Sequence, residues 1–455
     1  MYREKLLGPA EALPLKYTSS LEADKLITCE VLEVVKAYLK GLVKAKAIDE
    51  SLASSIEAEL LKLQQDPSPL WKESVADIHE AVESYLIKKL GLAASQIALG
   101  KSRNDQIATA LRLKVRTLLY QILIEIKKLR KTVLEQALVH LETPMPAYTH
   151  ERPAQVTTLA HYLDHIDEML EDYEKVIISV LDVTNKTPLG AGPVAGTMVP
   201  IDRDYVSNLL LFKGLVYNNL YASSSRDFLM LALAVVTSLL VSLSKIAEDL
   251  IYFSSPEVRF VELPVSHLDT SSIMPHKRNP VTLEVLRAKA GEAIGRLSGV
   301  MAIVKALRSG YNLDLQEAND IALTTLLETR DSLQVLRDIL SNMKVNVEAM
   351  KKYVETFQPI AAELAEVVTL KTRKPFREVY WEIAKAIRES EDMNKAIKTI
   401  SEKYGVEISI NAVLRKPVVG SPNPETLKRH IENKLVKVMT ATKELEEALE
   451  SMACR

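Results

Sequence analysis

The chain has 455 residues, 47 % hydrophobic and 26 % charged, which is too long for one small core and has the composition of a globular protein rather than a disordered one. Acidic residues exceed basic ones by two, for a formal net charge of −2, so no global field draws in nucleic acid or an anionic membrane, and an anionic ligand needs a local cluster of cations and dipoles. Only 14 glycines and 6 phenylalanines occur, and the prevalent Leu, Ala, Glu, Lys, Val and Ile suit helices better than sheets.

The opening residues, MYREKLLGPAEALPLKY, contain no apolar run of the kind a secretory signal needs. Cys29 and Cys454 lie near opposite ends of the sequence. A pair so spaced is neither a disulfide framework nor a zinc site, and it reads as two reduced thiols of a cytoplasmic protein. QQDPSPLW (64–71) interrupts the first helical region, and ALGKSRND (98–105) precedes the long helices. In that stretch the helical pattern resumes near Asn104 or Asp105. A helix start attracts anions, Lys101 and Arg103 add charge, and Arg103 can grip a carboxylate with two parallel bonds. An ordinary N-cap beside solvated cations explains the same letters.

Residues 110–141 form one long helical pattern, as in an extended bundle. AYTHERPAQVTTLAHYL (147–163) then places His150, a group able to move protons near neutral pH, just ahead of an expected Pro-started helix. His161 and His165 have the spacing of two metal ligands but no third ligand nearby, so they read as helix-face residues. TPLGAGPVAGTMVP (187–200) separates two helices. Phe228 to Ser244 is an uncharged run of about 17 residues, at the bottom of the transmembrane range. Its hydroxyls and the helical pattern continuing beyond it favour a helix buried at the centre of a bundle.

SSIMPHKRNP (271–280) is a polar loop among apolar helices. Asn279 as N-cap and Pro280 as first helical residue explain how the next helix begins. They give no reason for Ser271, Ser272, Met274 and Lys277. SGYNLDLQEAND (309–320) is a second polar joint, where Tyr311 and Gln316 offer hydrogen bonds to a ligand or simply shape Asx turns. Leu323, Leu326, Leu327, Leu333, Leu336 and Leu340 then continue the helical period. After Phe357 the helices shorten. The breakers suggest three domains, roughly 1–100, 101–352 and 353–455.

SSIMPHKRNP resembles the S-S-x-M-P-x-K-x-N-P loop of the fumarase/aspartase superfamily. SRNDQ, YTH, PLGAGPVAG, YNLDLQE, DIHEAVE (77–83) and SSSRDFL (223–229) are similar to the argininosuccinate lyase branch in particular, over almost the whole chain. The resemblance implies a mainly α, three-domain fold with a long central helix bundle, a twenty-helix core in a homotetramer, and active sites shared among three subunits. It implies no cofactor and no metal, and a small succinyl substrate. The implied reaction is an elimination: a base takes a proton beside a carboxylate, an acid protonates the departing nitrogen, and fumarate forms. By the same resemblance Ser271 is the base, Lys277 and Asn279 hold the carboxylate that gains charge, and His150 is the acid, oriented by Glu284. Ser102, Arg103, Asn104, Thr149, Tyr311 and Gln316 match substrate contacts. The sequence departs from the pattern at Thr270, usually glycine, at Lys101, usually arginine, at Asn319, usually lysine, and in a missing N-terminal Gly-Ser-x-Ala-His element. MPHKRNP is closer to the adenylosuccinate lyase form of the loop, which leaves that activity as an alternative; a catalytically silent, crystallin-like oligomer is another.

Overall fold

In the computed structural model, residues 6, 8, 11–73, 75–357, 359–390 and 392–452 are described. The helices that carry the argument are numbered in chain order. α1 (Thr28–Lys44) and α2 (Ile78–Leu90) belong to the N-terminal part. α3 (Arg103–Val139) has 37 residues, about 55 Å at 1.5 Å per residue. It begins at Arg103, one or two residues before the pattern suggested, with Ser102 as its N-cap. The Ser102 hydroxyl accepts the Asn104 N–H while Asp105 accepts the Ser102 N–H, a reciprocal capping box.

α4 (Leu159–Thr184) runs back along α3, with Arg112 near Val183 and Arg130 on Asp167. α5 (Asp227–Phe253), α6 (Val281–Val304) and α7 (Asp314–Asn342) complete the bundle. α8 (Pro424–Met452) lies along α3, so the last helix returns to the central core rather than staying with the short helices before it. Residues 361–414 pack around a small core of their own that includes Leu364, Val379, Ile383 and Ile400. α5 is long and apolar enough to cross a membrane. One face of it, with Phe228, Leu233, Val236 and Leu240, is sealed in the core, while Leu231 and Val241 are 46 % and 38 % exposed.

Two local expectations change. His150 does not precede a Pro-started helix. Pro144–Thr149 (β1) and Arg152–Thr158 (β2) form an antiparallel hairpin, and the helix starts only at Leu159. β-Branched Val156, Thr157 and Thr158 favour the strand over the helix, and His150 and Glu151 occupy the two positive-φ positions of the turn at 53° and 58°. Likewise Arg278–Asn279 (β4) pairs with Asp269–Thr270 (β3), so Pro280 rather than Asn279 caps α6 and Val281 begins it. Cys29 is disulfide-bonded, not a reduced thiol; Cys454 lies outside the described residues.

Candidate active site

The direction of each bundle helix sorts the sequence-selected residues into two groups. At one end lie the start of α3, the start of α5 and the start of α7. Arg103 ion-pairs with Asp77 at 2.8 Å and Glu80 at 3.3 Å. Asn104 donates to the Pro193 carbonyl. Tyr311 lies within electrostatic reach of Arg226, Asp77 and Arg103, and burial raises its pKa. Gln316 donates to the Thr18 carbonyl. Ser102 is occupied in the cap described above.

Three residues that the sequence reading passed over organise this end. Asp105 is fully buried. Its carboxylate accepts the N–H groups of Ser102, Gly190 and Gly192 at 2.9–3.1 Å, which ties the PLGAGPVAG loop to the helix start. Gly192 is required there, because its φ is +63° and a Cβ would meet the Gly196 carbonyl oxygen at 2.7 Å. Arg226 is 1 % exposed and reaches Asn319 Oδ1 and the Ser225 carbonyl, with Nη2 left without a partner among the described residues. Burial pushes its guanidinium down to about 10. Asp77 caps α2 through the Glu80 N–H and also holds Arg103. The signals for Asp77 and Arg226 were DIHEAVE and SSSRDFL. A buried carboxylate bonded to a distant glycine loop leaves no local signal in sequence.

At the other end lie the hairpin tip, the 271–280 loop and the start of α6. Thr149 and His150 are exposed at the tip. Tyr148 beneath them packs edge-on against Tyr252 near the end of α5, ring centres 5.8 Å apart. In the loop, the Ser271 hydroxyl accepts the Met274 N–H at 3.1 Å and the Ile273 N–H at 3.3 Å. These bonds fix the Ser271 oxygen at the head of a tight turn. Lys277 closes the turn through its N–H to the Met274 carbonyl. The Lys277 ammonium and the Glu284 carboxylate face solvent, while Asn279 is half-buried in the β3–β4 pair. Buried His267 anchors the base of the loop, with one ring nitrogen 3.1 Å from Thr282 Oγ1 and the other 2.7 Å from Asp338 Oδ2.

The separation between the ends follows from α5 alone. Arg226 precedes its first residue and Phe253 is its last. Those 27 residues span about 40 Å. Among the described residues no hydrogen bond or ion pair joins the two groups.

His161, on the exposed side of α4, bridges Thr157 Oγ1 and the Gly420 carbonyl at 2.8 and 2.9 Å. One set among the described residues, Asp164, Glu168 and His430, has carboxylate and imidazole atoms close enough to share an ion. The Lys434 ammonium already sits there, 3.3 Å from Asp164 and 3.0 Å from Asp167 and in contact with Glu168. A cation supplied by the protein fills the position.

A family model described as lyase matches residues 4–295. The argininosuccinate lyase of Pyrococcus furiosus is 43 % identical over 447 residues, covering 98 % of this chain and 97 % of its own. That of Pyrobaculum aerophilum is 39 % identical over 437 residues, covering 95 % and 97 %. Among solved structures, an EDDS lyase variant with bound fumarate aligns with a TM-score of 0.85 at 23 % identity, over 97 % of this chain and 92 % of that one. The fumarate lyase:delta crystallin of Brucella melitensis aligns at 0.72 and 17 % identity, over 92 % and 94 %. The two structures share the fold. The near-complete match to the two archaeal enzymes adds the family, and this chain belongs to the argininosuccinate lyases, a family of carbon–nitrogen lyases.

Proposed function

We propose that the protein cleaves argininosuccinate to arginine and fumarate, and that each site is assembled from several copies of the chain. The observation that carries this reading is the placement of the two groups of residues, each accessible, at opposite ends of one bundle. An elimination requires its base, acid and carboxylate clamp within a few ångströms of one substrate. A gap of about 40 Å forbids that within one chain. An antiparallel neighbour brings one end beside the other.

The surface supports such an assembly. α6 exposes Val285, Ile294 and Met301 at 55, 51 and 47 %. On the same helix a Cβ at Gly291, Gly295 or Gly299 would meet nothing within 4 Å. A long helix that exposes apolar and small residues along its length is what a helix of another copy covers. The five bundle helices of four copies give the twenty-helix core of a homotetramer.

In the assembled site Ser271 Oγ takes the proton beside the succinyl carboxylate. Lys277, Asn279 and the N-terminal dipole of α6 stabilise the charge that gathers on that carboxylate. His150, with Glu284 holding its ring, delivers a proton to the departing guanidino nitrogen. Arg103, Asn104 and Ser102 at the start of α3, together with Thr149, Tyr311 and Gln316, fix the two ends of the substrate. Among the described residues the Ser271 hydroxyl only accepts hydrogen bonds, so its activation belongs to closure of the loop on substrate. The test is absorbance of fumarate, with argininosuccinate and adenylosuccinate offered separately to the purified protein and to Ser271→Ala. Turnover of argininosuccinate alone, lost in Ser271→Ala, is the expected result. Turnover of adenylosuccinate alone would assign the MPHKRNP loop to the other substrate, and full activity in Ser271→Ala would remove Ser271 as the base.

A further inference from the structure

Behind Arg103 lies a cavity of about 160 Å³, room for about five waters at liquid density. It is lined by His79, Glu83, Lys101, Arg103 and Gln106, with Val35, Val82, Ile97 and Ala98 closing its apolar side. His79 is 8 % exposed, and neither of its ring nitrogens has a hydrogen-bond partner among the described residues. Lys101 is inserted against the Tyr38 ring, its Nζ 5.4 Å from the ring centre. Its ammonium forms no hydrogen bond or ion pair with any described residue. The other cation, Arg103, is already compensated by Asp77 and Glu80.

We propose that this cavity is a small-anion site, in which an oxoanion of phosphate size or a carboxylate is held between Lys101 and His79. Water would satisfy the imidazole, but half-buried Lys101 meets Glu83 and Asp105 only through space, and a partly desolvated ammonium without a hydrogen-bonded counter-ion among the described residues is costly. An anion answers both groups at once, and the N-terminus of α3 beside the cavity contributes in the same sense. The pair also gives a role to two features of the sequence that the elimination does not use, the histidine of DIHEAVE and the lysine at position 101.

The groups that face Lys101 set its proton affinity. Tyr38 comes from α1, His79 and Glu83 from α2, Arg103 and Asp105 from the start of α3. Burial lowers the lysine to about 8, with Asp105 and Glu83 opposing the shift. Burial lowers His79 to about 4, Lys101 and Arg103 adding to the effect and Asp77 opposing it. A bound anion favours the protonated lysine. Binding therefore takes up protons near pH 8, and affinity falls as the pH rises beyond it.

The experiment is calorimetric titration of the full-length protein with inorganic phosphate at pH 7 and 8, in two buffers of different ionisation enthalpy. Lys101→Met and His79→Phe should each weaken binding by tenfold or more, whereas Lys101→Arg, which keeps the charge, should retain it. Thermal melting identifies any variant that has failed to fold. Repeating the titration with saturating fumarate separates the two sources of the anion. Phosphate heat that survives fumarate assigns the cavity to a free oxoanion, and phosphate heat that fumarate abolishes assigns it to a dicarboxylate, provided Lys101→Met weakens both. Absence of phosphate binding at tens of millimolar means a water-filled cavity and overturns the proposal. Equal affinity in wild type, Lys101→Met and His79→Phe overturns it as well. Neither result bears on the elimination, because binding is read without turnover.

Discussion

Arg103→Ala and Ser271→Ala are each expected to be inactive alone and to restore one another when mixed. The reason is distance. Arg103 lies at the end of the bundle where α5 begins and Ser271 at the end where it finishes, and the 27 residues between span about 40 Å. One chain cannot bring both side chains to a substrate. In a hetero-oligomer assembled at random from equal amounts, a site is complete when its Arg103 comes from a Ser271→Ala copy and its Ser271 from an Arg103→Ala copy. Each condition is met about half the time, so about a quarter of the sites are whole, and activity should rise from near zero to about a quarter of wild type. The two variants would carry different affinity tags, be co-expressed, and be purified through both tags before fumarate release is measured by absorbance. Doubly tagged oligomers with no more activity than either parent would show that both residues serve the same site from one chain, and would refute the assembly proposed here.

Other outcomes follow from buried groups. Arg130→Met leaves fully buried Asp167 without its bidentate partner, and also removes the bonds to Glu171 and Glu174; a loss of about 3–5 kcal/mol is expected in denaturant melts, and a loss below about 1 kcal/mol would show that Lys434 alone suffices. Gly192→Ala should destabilise by about 1–3 kcal/mol through its positive φ and the clash with the Gly196 carbonyl, and a neutral melting temperature would mean that the loop relaxes freely. Burial raises Asp24 to about 6 from 3.8. The folded state keeps this proton while the unfolded chain loses it, so the stability from this group is complete below about pH 4 and is lost as the pH rises to about 6, by up to about 3 kcal/mol. Asp24→Asn should remove that decline, and melts of both proteins across pH 4–7 that stay parallel would contradict it. Alkylation of the denatured, unreduced protein should leave Cys29 unmodified, and reduction should lower the melting temperature; a labelled Cys29 in unreduced protein would contradict the disulfide.

The helices and their polar interruptions were legible because they are local. Apolar residues at three-and-four spacing specify the long helices of the bundle, and the loop at 271–280 and the joint at 309–320 stand out as breaks in that period. Local competition misled at two places. Val156 to Thr158 and the His150–Glu151 turn make a hairpin where Pro153 suggested a helix start, and strand pairing of Arg278 and Asn279 moved the cap of α6 to Pro280. In both, a few backbone hydrogen bonds to residues outside the segment decided between alternatives that the segment alone leaves open.

By itself the sequence determined the all-helical bundle and the identity of the motifs, since periodicity and short motifs are written in neighbouring letters. Only the tertiary structure decided where those motifs sit. Helix direction places Arg103, Tyr311 and Gln316 at one end and His150, Ser271 and Glu284 at the other. It also brings Asp105 to a glycine loop 85 residues away and closes a cavity around His79 and Lys101. These relations depend on rigid helices tens of ångströms long packed antiparallel, so the position of a side chain is set by its distance along a helix and by what that helix packs against.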